Sequence, residues 1–429
     1  MPMNFTTLLG KSVRKLAIAR GGGSALPGLF VERIDPNFIA RTLAQLPKGI
    51  VLVSGTNGKT TTTKMIVELL EGQGLKVFTN RTGSNFTRGV AAALLGDVDN
   101  HGKLDADIAV LELDEAHAVH FVKAIKPTYC LLLNVMRDQL DRFGEIDATA
   151  GLLRTIAEYT TDGIIINRDD PRLGTSKFVE GIDVPVRSYG VDPSLITMFP
   201  SDDSMRETDV ESASLHPATL YADDVSLVSI DGQHAVISFN NKEYPVDLKL
   251  KGIYNVQNAV GAVAMTRVVM GDELNETAML DSLANVTPAF GRGETLVVDG
   301  TECELVLVKN PSGFRLSLKS FNPAGYHTMI AINDDYADGR DMSWLWDVDF
   351  ESLSNEGVAE VTGVRAYDMA LRLQYDEVEM SHVEPKLATA LDHFISTGSG
   401  KPKRIFCSYT AMLALRRELS KRTDVEVIR

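Results

Sequence analysis

The sequence predicts an α/β protein: a parallel sheet covered on both faces, with a small antiparallel insertion, followed by a second α/β domain. Three observations predict it. From residue 49 onward, apolar runs of strand length alternate with helical patterns, as strands buried on both faces require. A glycine turn, GTNGKTT at 55–61, joins the first such run to the helix after it. Near 291–295 the segment GRGET reads as a hinge, and a new α/β pattern follows it.

The elements follow in order. Residues 1–48 form a helical and linker segment. MPMNFTTLLGKSVRKLAIAR at its start reads as a short basic amphipathic helix, for which packing is preferred over membrane-surface contact. It lacks the apolar core and cleavage site of a secretory signal. RGGGSALPG at 20–28 reads as a turn-rich joint. Residues 49–293 form the central domain. GIVLVSG is its first strand and 59–73 its first helix. KVFTN, ADIAVLELD (106–114), PTYCLLLNV (127–135) and GIIINRDD (163–170) continue the sheet. Residues 196–247 differ: an acidic polar stretch leads into alternating VSLVSIDGQHAVISFNNKEYPVDLKL, with Asp-Gly and Asn-Asn turns, so an antiparallel insertion is expected. NVQNAVGAVAMTRVVM returns to helix. Residues 294–429 form the C-terminal α/β domain, opening with the strand LVLVKN.

Composition narrows the function classes. The chain has 429 residues, 44% hydrophobic and 24% charged, as globular proteins do. Its net charge of −15 argues against a broad nucleic-acid footprint. Three widely spaced cysteines, Cys130, Cys303 and Cys407, form no metal or disulfide pattern and suit a reducing cytoplasm. His117 and His120 sit close together but read as solvated or core residues. No apolar run reaches transmembrane length.

GTNGKTT carries the chemistry. Gly55 and Gly58 let backbone N–H groups turn inward, and the following helix adds its positive end. Lys59 supplies a point charge for outer phosphates, and the Thr60 hydroxyl is placed for Mg²⁺. The glycine spacing is shorter than in the standard phosphate loop. LELDEAH at 111–117 puts Glu112, Asp114 and Glu115 at a strand end, as candidate Mg²⁺ ligands. NVMRDQLDRFGEID at 134–147 brings Asn134, Asp138 and Asp141 towards the same crevice. NRDDPR at 167–172 offers amide and carboxylate groups to a purine edge. KGIYNVQNAVGA at 251–262 places Asn255 and Asn258 at a helix start, and Arg292 stands at the domain joint within reach of a γ-phosphate.

These motifs, in this order, resemble the Mur ligases and folylpolyglutamate synthases. KNPSGF (309–314), INDDYADGRDMSWLWDVDFE (332–351), GVRAYDMALRL (363–373) and YTAMLALRREL (409–419) look like the MurT family of that group. The resemblance covers nearly the whole chain. It implies a Mur-ligase-like ATPase domain and a ligase that activates a carboxylate as an acyl phosphate. It further implies ATP-dependent amidation of the D-glutamate α-carboxyl of lipid II, with ammonia from a GatD-type glutaminase partner, in the cytoplasm at the inner face of the membrane. Carried over by position, Gly55, Thr56, Asn57, Gly58, Lys59, Thr60 and Thr61 hold ATP phosphates. Asn167, Asp170 and Asn255 border the adenine, Arg292 meets the γ-phosphate, and Thr60 with Glu112, or less favourably Glu115, holds Mg²⁺. Among Asp338, Asp341 and Asp347, the resemblance points to Asp341 or Asp347 as support for the partner's catalytic pair. Two departures stand out. Gln139 replaces the histidine usual in amino-acid-adding Mur ligases. Residues 196–247 hold no cysteine, so the zinc ribbon of many MurT chains is not supported. An amino-acid-adding Mur ligase or a folylpolyglutamate synthase is the alternative. A nucleotide-regulated binding subunit is a further one, opposed by the intact Lys59, Thr60, Glu112 and Arg292.

Overall fold

The computed structural model describes residues 5–19, 26–80, 86–137, 146–199, 225–288, 292–398 and 400–425. Among them, fifteen strands form two sheets. In the first sheet are β1 (Ile50–Ser54), β2 (Val77–Thr79), β3 (Ile108–Glu112), β4 (Tyr129–Leu132) and β5 (Gly163–Asn167), then β6 (Val186–Val191), β7 (Val225–Asp231), β8 (His234–Phe239) and β9 (Lys242–Asp247). Their order is β2-β3-β1-β4-β5-β6-β7-β8-β9. Pairing is parallel as far as β7 and antiparallel from there to β9. The insertion strands are therefore not a separate excursion. They widen the central sheet, because β7 pairs in parallel with β6.

Both faces of this sheet are covered, which explains its unbroken apolar strands. Val51 and Val53 pack on one side with the helices Lys59–Gly72, Ile253–Met270 and Glu276–Asn285. Leu52 packs on the other with Leu26–Ile34, Thr87–Asp97, Glu115–Ala124 and Ile146–Tyr159. The helix Ile253–Met270 is apolar nearly all round, as expected of a helix buried between a sheet and neighbouring helices. At the N-terminus, the helix Phe5–Ala19 lies against Leu26–Ile34 and Thr87–Asp97. A Cβ at Gly10 would sit 2.6 Å from Leu95, so this helix is packed closely. The expected joint at 20–28 is corrected at its end: helix begins at Leu26, with Pro27 in its first turn, where a missing N–H costs nothing.

The second sheet holds β10 (Arg292–Val298), β11 (Thr301–Leu307), β12 (His327–Ala331), β13 (Val358–Thr362), β14 (Met380–Glu384) and β15 (Lys403–Cys407). Its order is β10-β11-β15-β12-β13-β14, parallel except for the β10–β11 hairpin. The helix Ala366–Tyr375 covers one face, and Leu387–Ser396 and Tyr409–Leu419 the other. SWLWD forms a short 3-10 turn, Ser343–Asp347. Trp344 is buried in it and Trp346 is exposed, so only the first tryptophan serves the core. Among the described residues no helix is long and apolar enough to cross a membrane.

Candidate functional site

The strand order reverses direction at β1. The chain leaves β1 towards β2 and β3, then crosses to β4 and β5. Ligands of open α/β sheets bind beyond the carboxyl ends of the strands at such a switch. Here those ends carry GTNGKTT after β1 and residues 133–137 after β4. Gly55 (φ +136°) and Gly58 (φ +89°) take backbone conformations that side chains rarely adopt. A Cβ on Gly58 would also stand 2.5 Å from the Asn258 Oδ1.

The segment after β4 holds the loop from outside. Asn57 N donates to Asn134 Oδ1 at 2.8 Å, and Asn134 Nδ2 donates back to Asn57 O at 3.0 Å. Thr56 N donates to Asn134 O, and Met136 N to Thr56 Oγ1. One step further out, Val135 N donates to Asp170 Oδ2 at 2.7 Å. The other Asp170 oxygen accepts from Arg172 N and Leu173 N. Burial pushes this carboxyl above its ordinary range, against the pull of those three N–H groups.

At the start of the helix Lys59–Gly72, Lys59 is buried. Its Nζ donates to Gly55 O, to Thr56 O at 3.3 Å and to Glu115 Oε1 at 3.3 Å. Thr60 Oγ1 donates to Glu112 Oε1 at 2.9 Å. Asn80 fixes Glu112 from behind: its Nδ2 donates to Glu112 O, and Glu112 N donates to its Oδ1. A hydroxyl and a carboxylate thus meet where β1 and β3 end. Hard oxygen donors of this kind fit Mg²⁺.

Beside the loop opens a cleft lined by Asn134, Asn167, Asp170, Tyr254, Gln257 and Leu316. Leu316 belongs to the C-terminal domain, so the two domains share the cleft. They also meet through a reciprocal amide pair. Asn310 Nδ2 donates to Asn57 Oδ1 at 3.0 Å, and Asn57 Nδ2 to Asn310 Oδ1 at 3.3 Å. An ion pair, Arg137 to Asp347 at 3.0 Å, joins them a second time.

The matched families agree with this geometry. The description "Mur ligase middle domain" matches residues 53–266, and "MurT ligase C-terminal" matches 307–412. The lipid II isoglutaminyl synthase (glutamine-hydrolyzing) subunit MurT of Streptococcus pneumoniae is 31% identical, over 99% of both chains. The chain belongs to the MurT family. The MurT subunit of Staphylococcus aureus strain COL is 30% identical over 87% of each chain. In fold, the chain is similar to MurF of Acinetobacter baumannii (TM-score 0.68, 18% identity, 92% of this chain and 81% of that one). It is similar too to MurF of Thermotoga maritima in complex with ADP (TM-score 0.65, 17% identity, 89% and 83%).

The structure brings together most of the residues singled out from the sequence. Gly55 to Thr61, Glu112 and Glu115 share one end of the sheet, and Asn167 and Asp170 line the cleft. Asn255 is not among the residues that line it. Its side chain is fully buried and donates to Lys251 O, while Tyr254 and Gln257 face the cleft. Arg292 begins β10, opposite Val306, and its side chain lies outside what the structure describes. Asp138, Gln139 and Asp141 fall outside the described residues. Asp338 is buried and accepts from Thr410 N and Oγ1, a structural anchor. Asp341 is exposed and accepts from Ser343 N, whose hydrogen bonding holds its carboxyl below the usual range. Sequence reasoning missed Asn80, Tyr254, Gln257 and Asn310 as parts of the site.

Proposed function

We propose that this chain is the synthetase half of a two-subunit enzyme that amidates the α-carboxyl of D-glutamate in the lipid II stem peptide. The observation that carries the reading is a Mur-type phosphate cradle joined to a MurT-type C-terminal domain over nearly the whole chain. Gly55 to Thr61 receive the ATP phosphates, and the Asn167 side of the cleft receives the base. Bound Mg²⁺, held by Thr60 and Glu112, would neutralise phosphate charge as it shifts to the leaving oxygen. Lys59 exchanges its carbonyl partners for a phosphate oxygen, and Arg292 adds a second cation from the domain joint.

The glutamyl carboxylate oxygen attacks the γ-phosphorus, the β–γ bond breaks, and ADP leaves. Ammonia then attacks the acyl carbon of the resulting acyl phosphate, phosphate leaves, and the nitrogen loses a proton. Ammonium has no free electron pair, so the amine must arrive neutral in an enclosed site.

The ammonia comes from a partner. All three cysteines of the chain are buried, and burial pushes the Cys130 and Cys303 thiols up to about 12 and Cys407 higher still. None is a ready thiolate nucleophile for glutamine. An exposed apolar face on the C-terminal domain offers the docking surface. Tyr367, Leu371 and Tyr375 recur at helical spacing along Ala366–Tyr375, with Val364 before them and Trp346 against Tyr375. Asp341 lies on the segment leading into Trp346 and is free of the Arg137 pairing that holds Asp347, so Asp341 is the carboxylate offered to the partner's catalytic pair.

The test combines the purified chain with a GatD-type glutaminase, lipid II, Mg²⁺, ATP and glutamine, and follows by mass the replacement of OH by NH₂. A parallel reaction supplies ammonium salt and no glutaminase. Product in both supports the reading. No product in either, with ATP consumed only when an amino acid and another acceptor are supplied, replaces it with an amino-acid-adding ligase.

A further inference from the structure

We propose that Glu360, His382 and His393 form a site for one divalent transition-metal ion of the zinc class, on the face of the C-terminal sheet opposite the aromatic helix. Glu360 lies on β13 and is fully buried. His382 stands beside it on β14, in register across the parallel ladder. His393 comes from the helix Leu387–Ser396, which packs over both strands. His382 Nδ1 is 2.8 Å from Glu360 Oε1, and His393 Nδ1 is 2.7 Å from Oε2. The candidate ligand atoms of the three residues all lie within 4.8 Å of one another.

The chemistry favours a borderline-soft cation. Two imidazole nitrogens and one carboxylate oxygen are the donor set of open zinc sites, in which water completes four-coordination. Ligands about 2.0–2.2 Å from a tetrahedral ion stand roughly 3.4 Å from one another. The two nitrogen–oxygen separations, 2.8 and 2.7 Å, need to open by about 0.6–0.7 Å to reach that spacing. Three separate backbone elements already hold the donors near those positions. The histidine side chains are 44% and 45% exposed, so an ion has an entry path, whereas the carboxylate at the bottom has no exposure. A buried carboxylate is costly unless donors or cations compensate it. Without metal, the two ring nitrogens at hydrogen-bond distance supply that compensation. On binding, each imidazole moves its proton from Nδ1 to Nε2, and no redox step is involved.

This site is distinct from residues 196–247, whose lack of cysteine removes the ribbon type of zinc site, and from the oxygen ligands Thr60 and Glu112. The experiment uses the full chain, stripped with chelator and kept in excess Mg²⁺ to saturate the phosphate site. Zn²⁺ is titrated against a chromophoric chelator, and Co²⁺ absorption reports the ligand set of the wild-type protein. The expected result is one ion per chain and visible Co²⁺ bands typical of nitrogen–oxygen four-coordination. Affinity should fall by at least about tenfold in His382→Asn and in His393→Gln, and stay unchanged in His234→Ala, a solvent-exposed histidine paired with Asp247. A wild-type protein with no such Co²⁺ bands overturns the proposal, whatever the variants do. So does Zn²⁺ binding that the double variant, folded by circular dichroism, leaves intact. In either case Glu360 is only a hydrogen-bond hub.

Discussion

Asn134 offers the sharpest test of how the phosphate cradle is kept in shape. Its side chain makes both a 2.8 Å and a 3.0 Å hydrogen bond to the backbone of Asn57, and it is itself nearly buried. Asn134→Ala removes both bonds but keeps the Thr56 N to Asn134 O contact, which is backbone to backbone. Each lost bond costs about 1 kcal/mol net, so the loop loses about 2 kcal/mol of preference for its phosphate-binding shape. At about 1.4 kcal/mol per tenfold, kcat/KM for ATP should fall by about 30-fold. Asn134→Asp keeps the acceptor for Asn57 N but turns a second oxygen towards Asn57 O, and it adds negative charge beside the phosphates. Its loss should match or exceed that of the alanine variant. The assay is ammonium-supported amidation with ADP release followed at varied ATP, beside thermal melts of each variant. If Asn134→Ala stays within about threefold of wild type at an unchanged melting temperature, the loop is preorganised by something else and the reasoning fails.

Lys59→Ala should lower ATP-dependent amidation by at least about 10²-fold, because a charge aimed at the phosphates is lost, while a pull-down with the glutaminase remains intact. Retained turnover would remove the phosphate-loop assignment. Leu371→Asp and Asp341→Asn should both abolish glutamine-supported product and spare ammonium-supported product. Analytical ultracentrifugation separates them, since only Leu371→Asp should break the complex. On the acid side, burial and then Lys403 and Lys401 hold the His327 ring down to about 4, from an ordinary value of 6.5. Between those values the unfolded chain takes up a proton that the folded chain refuses, so stability falls as pH drops from 6.5 towards 4. His327→Gln should flatten that part of the melting-temperature profile relative to wild type, and an unchanged slope would rule out this histidine as its source.

The central strands were legible because they are buried on both faces, so Val51, Leu52 and Val53 are all apolar and no alternation masks the run. β6, VRSYGV, gave no such signal. Arg187 and Ser188 break its apolar pattern, and only the sheet's widening through β7 shows why a strand is needed there. The phosphate loop was legible in full, since its glycines and lysine are contiguous. The cleft was legible only by segment. KGIYNVQNA does contribute to the cleft lining, but through residues other than those named from the sequence, since one residue is about 100° of helix. Tyr254 and Gln257 share the cleft face, Asn258 turns to Gly58, and the buried Asn255 donates to Lys251 O and accepts from the Asn258 amide. NRDDPR was read as a purine edge. Its Asp170 does line the cleft, yet both its oxygens are committed to backbone N–H groups that fold the loops. Asn57 and Asn310 are 253 positions apart, and no local pattern connects them.

That last pair bears on how the two domains act as one enzyme. Asn310 is the N-cap of the helix Pro311–Ser320, where its Oδ1 accepts from Gly313 N at 2.7 Å. The same oxygen accepts from Asn57 Nδ2, and the Asn310 amide donates back. One side chain therefore starts a helix of the C-terminal domain and touches the phosphate loop of the central one. Two roles follow, and a single substitution separates them. Asn310→Ser keeps a good capping oxygen but is too short to pair with Asn57, whereas Asn310→Ala loses both. If the residue serves only the helix, Asn310→Ser behaves as wild type and Asn310→Ala melts earlier by an amount worth about 1 kcal/mol. If the amide pair registers the domains over the bound nucleotide, Asn310→Ser melts normally yet loses amidation, because the carboxylate and the γ-phosphate meet less often in line. The second outcome is the expected one. Asn57 lies within the loop itself, so a contact there spends binding geometry that a purely structural cap would have placed elsewhere.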